Sequence, residues 1–198
     1  MTTVSARRIR GAAANSLPSA LAFWGILLLL PGILRAGLPS PWQFQTPLPQ
    51  GNDLLAAWTS AEGQLYAGGH GGVIVQWDGA RWAIQNTPTQ KTISGIHGTA
   101  ATNIWAVGGD PYTDNMTNRC LILHFDGQTW KEQTPPDYMG YTYPFNSVLV
   151  LAANDVWATP DGGTFLDHCD GAKWDWFSVP LAVEGTFRAI ASSGPNHL

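Results

Sequence analysis

The sequence predicts an all-β chain, a partial and open propeller of four-stranded antiparallel blades. Three observations carry that reading. The turn Asp-Gly-x-x-Trp recurs at Asp78, Asp126 and Asp170, at intervals of 48 and 44 residues, a period that suits one four-stranded blade per repeat. An apolar start is followed 12 residues later by an aromatic in each repeat, from Leu54 to Tyr66, Ile93 to Trp105 and Phe145 to Trp157. Charged residues make up only 12% of the chain, against 22 Gly, 14 Pro and 10 Trp, a balance unlike that of helical enzymes.

The chain opens with Arg7, Arg8 and Arg10, followed by an apolar run over residues 20–34 that Pro31-Gly32 interrupts. This is the layout of a signal peptide over residues 1–36, with Ala36 as a small residue for cleavage; a retained N-terminal membrane anchor is the alternative. Either route predicts export, to the periplasm, the cell surface or the medium, with membrane contact only through residues 20–34 if they stay attached. Residues 37–51 read as a linker holding an orphan last strand, because Trp42-Gln-Phe-Gln-Thr-Pro47 matches Trp130-Lys-Glu-Gln-Thr-Pro135.

Blades are predicted at 52–91, 92–144 and 145–184, with an incomplete one at 185–198. In the first, the strands run over 54–58, 64–67 and 73–77 and then from Trp82; in the second over 93–98, 104–107, 121–125 and 130–134. The third follows with 145–151, 156–158, 165–169 and 174–178. Each Asp-Gly pair marks a hairpin, since Gly accepts positive φ freely and Asp tolerates it. A fourth repeat starts at Phe187-Arg-Ala-Ile190, but its aromatic would fall at residue 199 of a 198-residue chain. The expectation is therefore an open arc with blade edges free for self-association; a truncated remnant of a larger propeller protein without independent function is an alternative.

All 14 acidic residues lie after residue 50, where only six basic ones remain, leaving that body at a net −8. Such a surface repels phosphate and disfavours nucleic acid as a partner. Cys120 lies six residues before its Asp-Gly turn and Cys169 one residue before the next. The register predicts two separate core thiols rather than a disulfide.

The Gly-Gly after the second strand, with an aromatic-Asp and a Trp further on, resembles kelch-type propeller repeats over residues 42–198. Asn154-Asp-Val-Trp-Ala158 and Trp77-Asp-Gly-Ala-Arg-Trp82 are similar to repeats of large exported bacterial β-propeller proteins. In the third repeat Thr159-Pro160 replaces Gly-Gly and Cys169 replaces the aromatic before Asp170. The resemblance implies the fold and leaves the function open, because propellers host hydrolases, lyases, oxidases and binding scaffolds alike.

Trp82, Trp130 and Trp174 recur at one repeat position, as do Tyr66, Trp105 and Trp157; residues repeated blade by blade pack neighbouring sheets. Among His70, His97, His124, His168 and His197 no pair has zinc-site spacing, and no metal or cofactor is expected. A carbohydrate-active hydrolase or lyase is the alternative reading. It needs paired carboxylates on the channel, where the aligned inner positions offer Trp58, His97 and Leu149.

The repeat-breaking segments point to a binding module instead. Between second and third strands the first repeat spends three residues (70–72) and the second eleven (110–120); Trp130 to Phe145 is 15 residues against 11 from Trp82 to Ile93. These two connections emerge at the same end of a blade and hold Tyr112, Asp114, Asn115, Tyr138, Tyr141 and Tyr143. Flat rings interleaved with hydrogen-bonding groups suit a glycan or an extended peptide of a protein ligand. A calcium ion on Asp110, Asp114 and Asn115 is a weaker alternative.

Overall fold

The computed structural model describes residues 50–113, 115, 118–136, 138–180 and 185–193. The chain divides into two units, Met1–Gln45 and Thr46–Leu198. The first lies wholly outside the described residues, and with it the predicted leader; the orphan strand 42–47 also falls outside them.

Among the described residues, twelve strands form three sheets. The first blade is β1 (Leu54–Thr59), β2 (Leu65–Gly69), β3 (Ile74–Trp77) and β4 (Trp82–Gln85). The second is β5 (Thr92–Ala100), β6 (Asn103–Gly109), β7 (Cys120–Phe125) and β8 (Trp130–Glu132). The third is β9 (Phe145–Ala152), β10 (Asp155–Pro160), β11 (Phe165–Cys169) and β12 (Trp174–Ser178). Every sheet is an antiparallel meander in chain order, and β5 lies beside both β1 and β9. Apart from a single 3-10 turn at His70–Gly72, no helix occurs among the described residues. The blades form an open arc, as the repeat count predicts.

The hairpins differ in detail from the expected turn. Gly79, Gly127 and Gly171 take φ of 98°, 93° and 92°, while their Asp neighbours do not enter the left-handed region. Each Asp acts through its side chain instead. Asp126 Oδ1 accepts the backbone N–H of Gln128 and Thr129 at 3.0 and 2.9 Å, and Asp78 and Asp170 do the same in their own turns. These amide dipoles hold the exposed Asp78 and Asp170 carboxyls below the usual carboxylate range, and at Asp126 the Lys131 ammonium adds the largest share, ahead of the amides.

The faces follow from strand alternation. Ile104, Ala106, Leu121, Leu123, Phe125 and Trp130 of the second blade pack on Tyr66, Ile74 and Trp58 of the first. The second blade's other face, with Trp105, Val107, Cys120 and Ile122, meets Val148, Val150, Val156, Ala158 and Trp174 of the third. Trp130 and Trp174 thus do the same work at successive seams. Trp174 meets Trp105 edge-on at 5.6 Å between ring centroids. Gly95 is required at this seam, because a Cβ there would come within 3.0 Å of the Ser147 backbone.

One polar cluster is also rebuilt in each blade. Asn103 Oδ1 accepts from the Trp105 indole at 3.1 Å and lies 2.9 Å from His124 Nε2, while Asp155 Oδ1 does so for Trp157 and His168 at 2.7 and 2.9 Å. In the first blade Tyr66 donates to Gln64 at 3.1 Å and accepts from Gln76 at 3.0 Å. These histidines are thereby accounted for as structural.

Two expectations need correction. Residues 185–193 form no strand; Asn146 Nδ2 donates to the Phe187 carbonyl at 3.0 Å and Arg188 pairs with Asp161 at 3.4 Å. The register also realigns the departure at Thr159-Pro160. Pro160 faces Phe145 as Gly108 faces Ile93, so Pro160 and Asp161 take the places of the two repeat glycines and Thr159 stands where the second blade has Val107. Cys120 and Cys169 are both free and buried.

Candidate functional site

The two long connections do meet. The Arg119 N–H donates to Thr142 Oγ1 at 2.8 Å, which ties the end of the first insertion to the second. Together with the sheet ends they frame two cavities, one of mixed lining and one aromatic.

The larger, about 410 Å³, opens beside the starts of β5 and β9 and is lined by His70, Thr92, Asp110, Tyr112, Asn146 and Asp161 among others. Pro111, Pro144 and Phe145 add apolar surface to the same lining, so the cavity is mixed in character. Tyr112 stands 93% exposed, and Asp110 Oδ1 holds its backbone N–H at 3.1 Å.

The smaller, about 150 Å³, is lined by Tyr138, Met139, Tyr143, Phe165 and Trp176. Tyr138 is the hub of this aromatic group. Its ring lies 5.5 Å from Tyr143, 5.2 Å from Phe165 and 6.4 Å from Trp176. The strands explain why Phe165 and Trp176 converge: Trp176 is the cross-strand partner of Asp167, and Phe165 lies two residues earlier on the same face of β11. A connection long enough to fold back lays Tyr138 and Tyr143 over that face, with a bridge between Tyr138 and Tyr141 closing its tip. Met139 in that tip has φ of 57°, a left-handed conformation that costs a side chain energy and is held by its surroundings.

Under the rings lies Asp167, 0% exposed. The Tyr138 hydroxyl donates to its Oδ2, while its Oδ1 has no hydrogen-bond partner. Burial pushes the carboxyl up to about 7, the Tyr138 bond pulling the other way; the same burial and the neighbouring carboxyl push the Tyr138 phenol well above its usual range. The first and second blades carry Val75 and Leu123 at this position, each paired to its fourth strand in the same register. A buried, half-satisfied carboxyl where sibling repeats place an aliphatic is costly, and such costs mark functional sites.

The six site residues predicted from the sequence are therefore divided. Tyr138 and Tyr143 enter the aromatic cavity, Tyr112 the larger one, and Tyr141 stands 50% exposed at the tip of its loop. The Asn115 N–H donates to Thr113 Oγ1 at 3.3 Å within the first insertion, while Asp114 lies outside the described residues. Among the described residues no three His, Cys, Asp or Glu side chains gather as a metal site. Asp167, Phe165 and Trp176 were not predicted. The signal was present in the repeat alignment, which sets Asp167 against Val75 and Leu123.

No family model matches the chain, and no curated protein does. Solved propellers do resemble it. Over 65% of this chain and 42% of the other, it is similar to a structure of YCF48 bound to D1 peptide, with a TM-score of 0.51 and 15% identity. YCF48 from Cyanidioschyzon merolae is similar over 63% of this chain and 40% of that one, with a TM-score of 0.47 and 19% identity. The chain therefore spans less than half the length of these structures, and the likeness at 15% identity shows the propeller fold.

Proposed function

We propose that the chain is an exported binding scaffold whose ligand is an extended segment of a protein, held across the loop end of the second and third blades. The carrying observation is that both repeat-breaking connections meet there and frame a cavity of mixed lining and an aromatic one. An extended peptide presents side chains at alternating positions and exposes backbone donors and acceptors, so it can use both surfaces at once. The similarity to a propeller solved with a bound peptide supports the same reading. With a body at net −8, a basic ligand is favoured in approach and in binding.

Peptide and glycan arrays probed with the purified chain test this. Capture by peptides, reduced when Tyr112 and Tyr141 are both replaced by Ala, is the expected result. A response confined to glycans would reassign the ligand class, and capture unchanged by the double substitution would move the site elsewhere. Export is tested by sequencing the mature N-terminus, which should begin after Ala36.

A further inference from the structure

We propose that the aromatic cavity formed by Tyr138, Met139, Tyr143, Phe165 and Trp176 is a receptor for one alkylammonium head group, such as a methylated lysine side chain of the ligand. This deepens the binding-scaffold reading and rests on it only for the source of the head group.

Size comes first. At about 150 Å³ the cavity falls below the range of pockets that hold a drug-sized molecule, and it suits a single side-chain terminus. Its walls are almost wholly ring carbon, with a thioether at the lip on Met139, which is 88% exposed. Such walls accept an aliphatic head group or a poorly hydrated cation over which ring faces can close.

Charge decides between those two. Asp167 lies beneath the cavity, cross-strand from Trp176 and two residues from Phe165. It is fully buried, with one oxygen lacking a partner. An aliphatic occupant would leave that carboxyl as costly as before, whereas a cation offsets it. Tyr138 transmits the effect into the wall itself. By donating its hydroxyl to Asp167, the phenol gains electron density, and its ring face becomes a better partner for a cation. Quaternary or methylated ammonium groups fit best, because they carry charge without demanding the hydrogen bonds that these rings do not supply.

Calorimetric titration at pH 8, where the Asp167 carboxyl is ionised, with choline and with its neutral isostere 3,3-dimethylbutan-1-ol tests the cavity directly, without any peptide. Choline should bind at least about tenfold more tightly than the alcohol, a gap of the size that ring–cation contacts supply. Trp176→Ala should abolish that binding, and Asp167→Leu should weaken choline binding and narrow the gap between the two probes. Asp167→Leu installs the residue that the second blade carries at Leu123, and a cooperative melt verifies each variant's fold; Asp167→Asn serves as a second, isosteric neutralisation. Equal binding of the two probes to the unaltered chain, no measurable choline binding, or choline binding unmoved by both Asp167 variants would overturn the proposal. Any of these leaves the peptide-array result to judge the scaffold reading separately.

Discussion

The second and third blades share a register yet differ at four positions that matter. Leu123, Glu132, Phe125 and Val107 in one stand where Asp167, Trp176, Cys169 and Thr159 stand in the other. The second blade fills its faces with aliphatic and aromatic groups and leaves few polar atoms inside. The third buries a carboxyl and a hydroxyl without full partners, Asp167 Oδ1 and Thr159 Oγ1, and spends an outer-strand position on an indole. What holds an arc of blades together is therefore repeated, and two of the departures, Asp167 and Trp176, lie under the second insertion.

The largest test of that division lies on one strand face. Trp174 and Trp176 both point toward the second blade, but Trp174 is buried against Trp105 and Phe145 while Trp176 stays 45% exposed. Trp174→Ala should cost about 3–5 kcal/mol, as expected for a large core aromatic. Trp176→Ala should cost less than about 1 kcal/mol while removing choline binding. Urea midpoints of the two variants measure the contrast, and equal losses would show that Trp176 is part of the seam.

Next in size is the bond from Tyr138 to Asp167. Tyr138→Phe leaves a fully buried carboxyl with neither oxygen paired, at an expected cost of about 1–3 kcal/mol. The loss should be larger at pH 8, where the carboxyl is ionised, than at pH 5. A variant as stable as the parent at both pH values would mean that the phenol is not what holds this carboxyl.

The pH profile sharpens the same comparison. Asp167 is raised from 3.8 to about 7, so between those values the folded chain holds a proton that the unfolded chain has released. Its contribution to stability is thus greatest below about pH 4, falls as pH rises to about 7, and stays constant above, an overall change of a few kcal/mol. The groups that bear on it are the Tyr138 phenol and the Cys120 thiol, whose own value burial raises. His97 and His124, lowered by burial, and the three turn aspartates act in the opposite sense and lose stability as pH falls. Subtracting the Asp167→Leu profile from the parent's isolates the one descending component; a difference flat from pH 4 to 7 would refute the assignment.

Much of the fold was legible because repetition supplies its own alignment. The spacing from Leu54 to Tyr66, repeated from Ile93 and Phe145, located inner and second strands, and Asp-Gly-x-x-Trp located the third and fourth. Insertion lengths likewise located Tyr138 and Tyr143. What could not be read was direction. Nothing in the spacing shows that a loop folds back over its neighbour's outer strands rather than toward the channel, which is why Tyr112 and Tyr138 were expected together and lie in separate cavities. Asp167 was hidden for a different reason. Strand alternation marks it as inward-facing, but only the loop that covers it makes its burial complete.

The smallest expected effect concerns Thr159, whose Oγ1 is buried without a partner. The realigned register places it at the position of Val107, so Thr159→Val swaps the third blade's residue for the second blade's, with nearly the same volume. If the hydroxyl is idle, removing it deletes an unmet desolvation cost and leaves packing intact, and stability should rise or hold within about 1 kcal/mol. If instead the hydroxyl binds an ordered water or a further segment, the same substitution strands that partner and stability falls by about 1–3 kcal/mol. A chemical-denaturation midpoint that drops would therefore place Thr159 with Asp167, as a second site where this blade departs from its siblings for a purpose. An unchanged or raised midpoint would confine that purpose to the carboxyl beneath the aromatic rings.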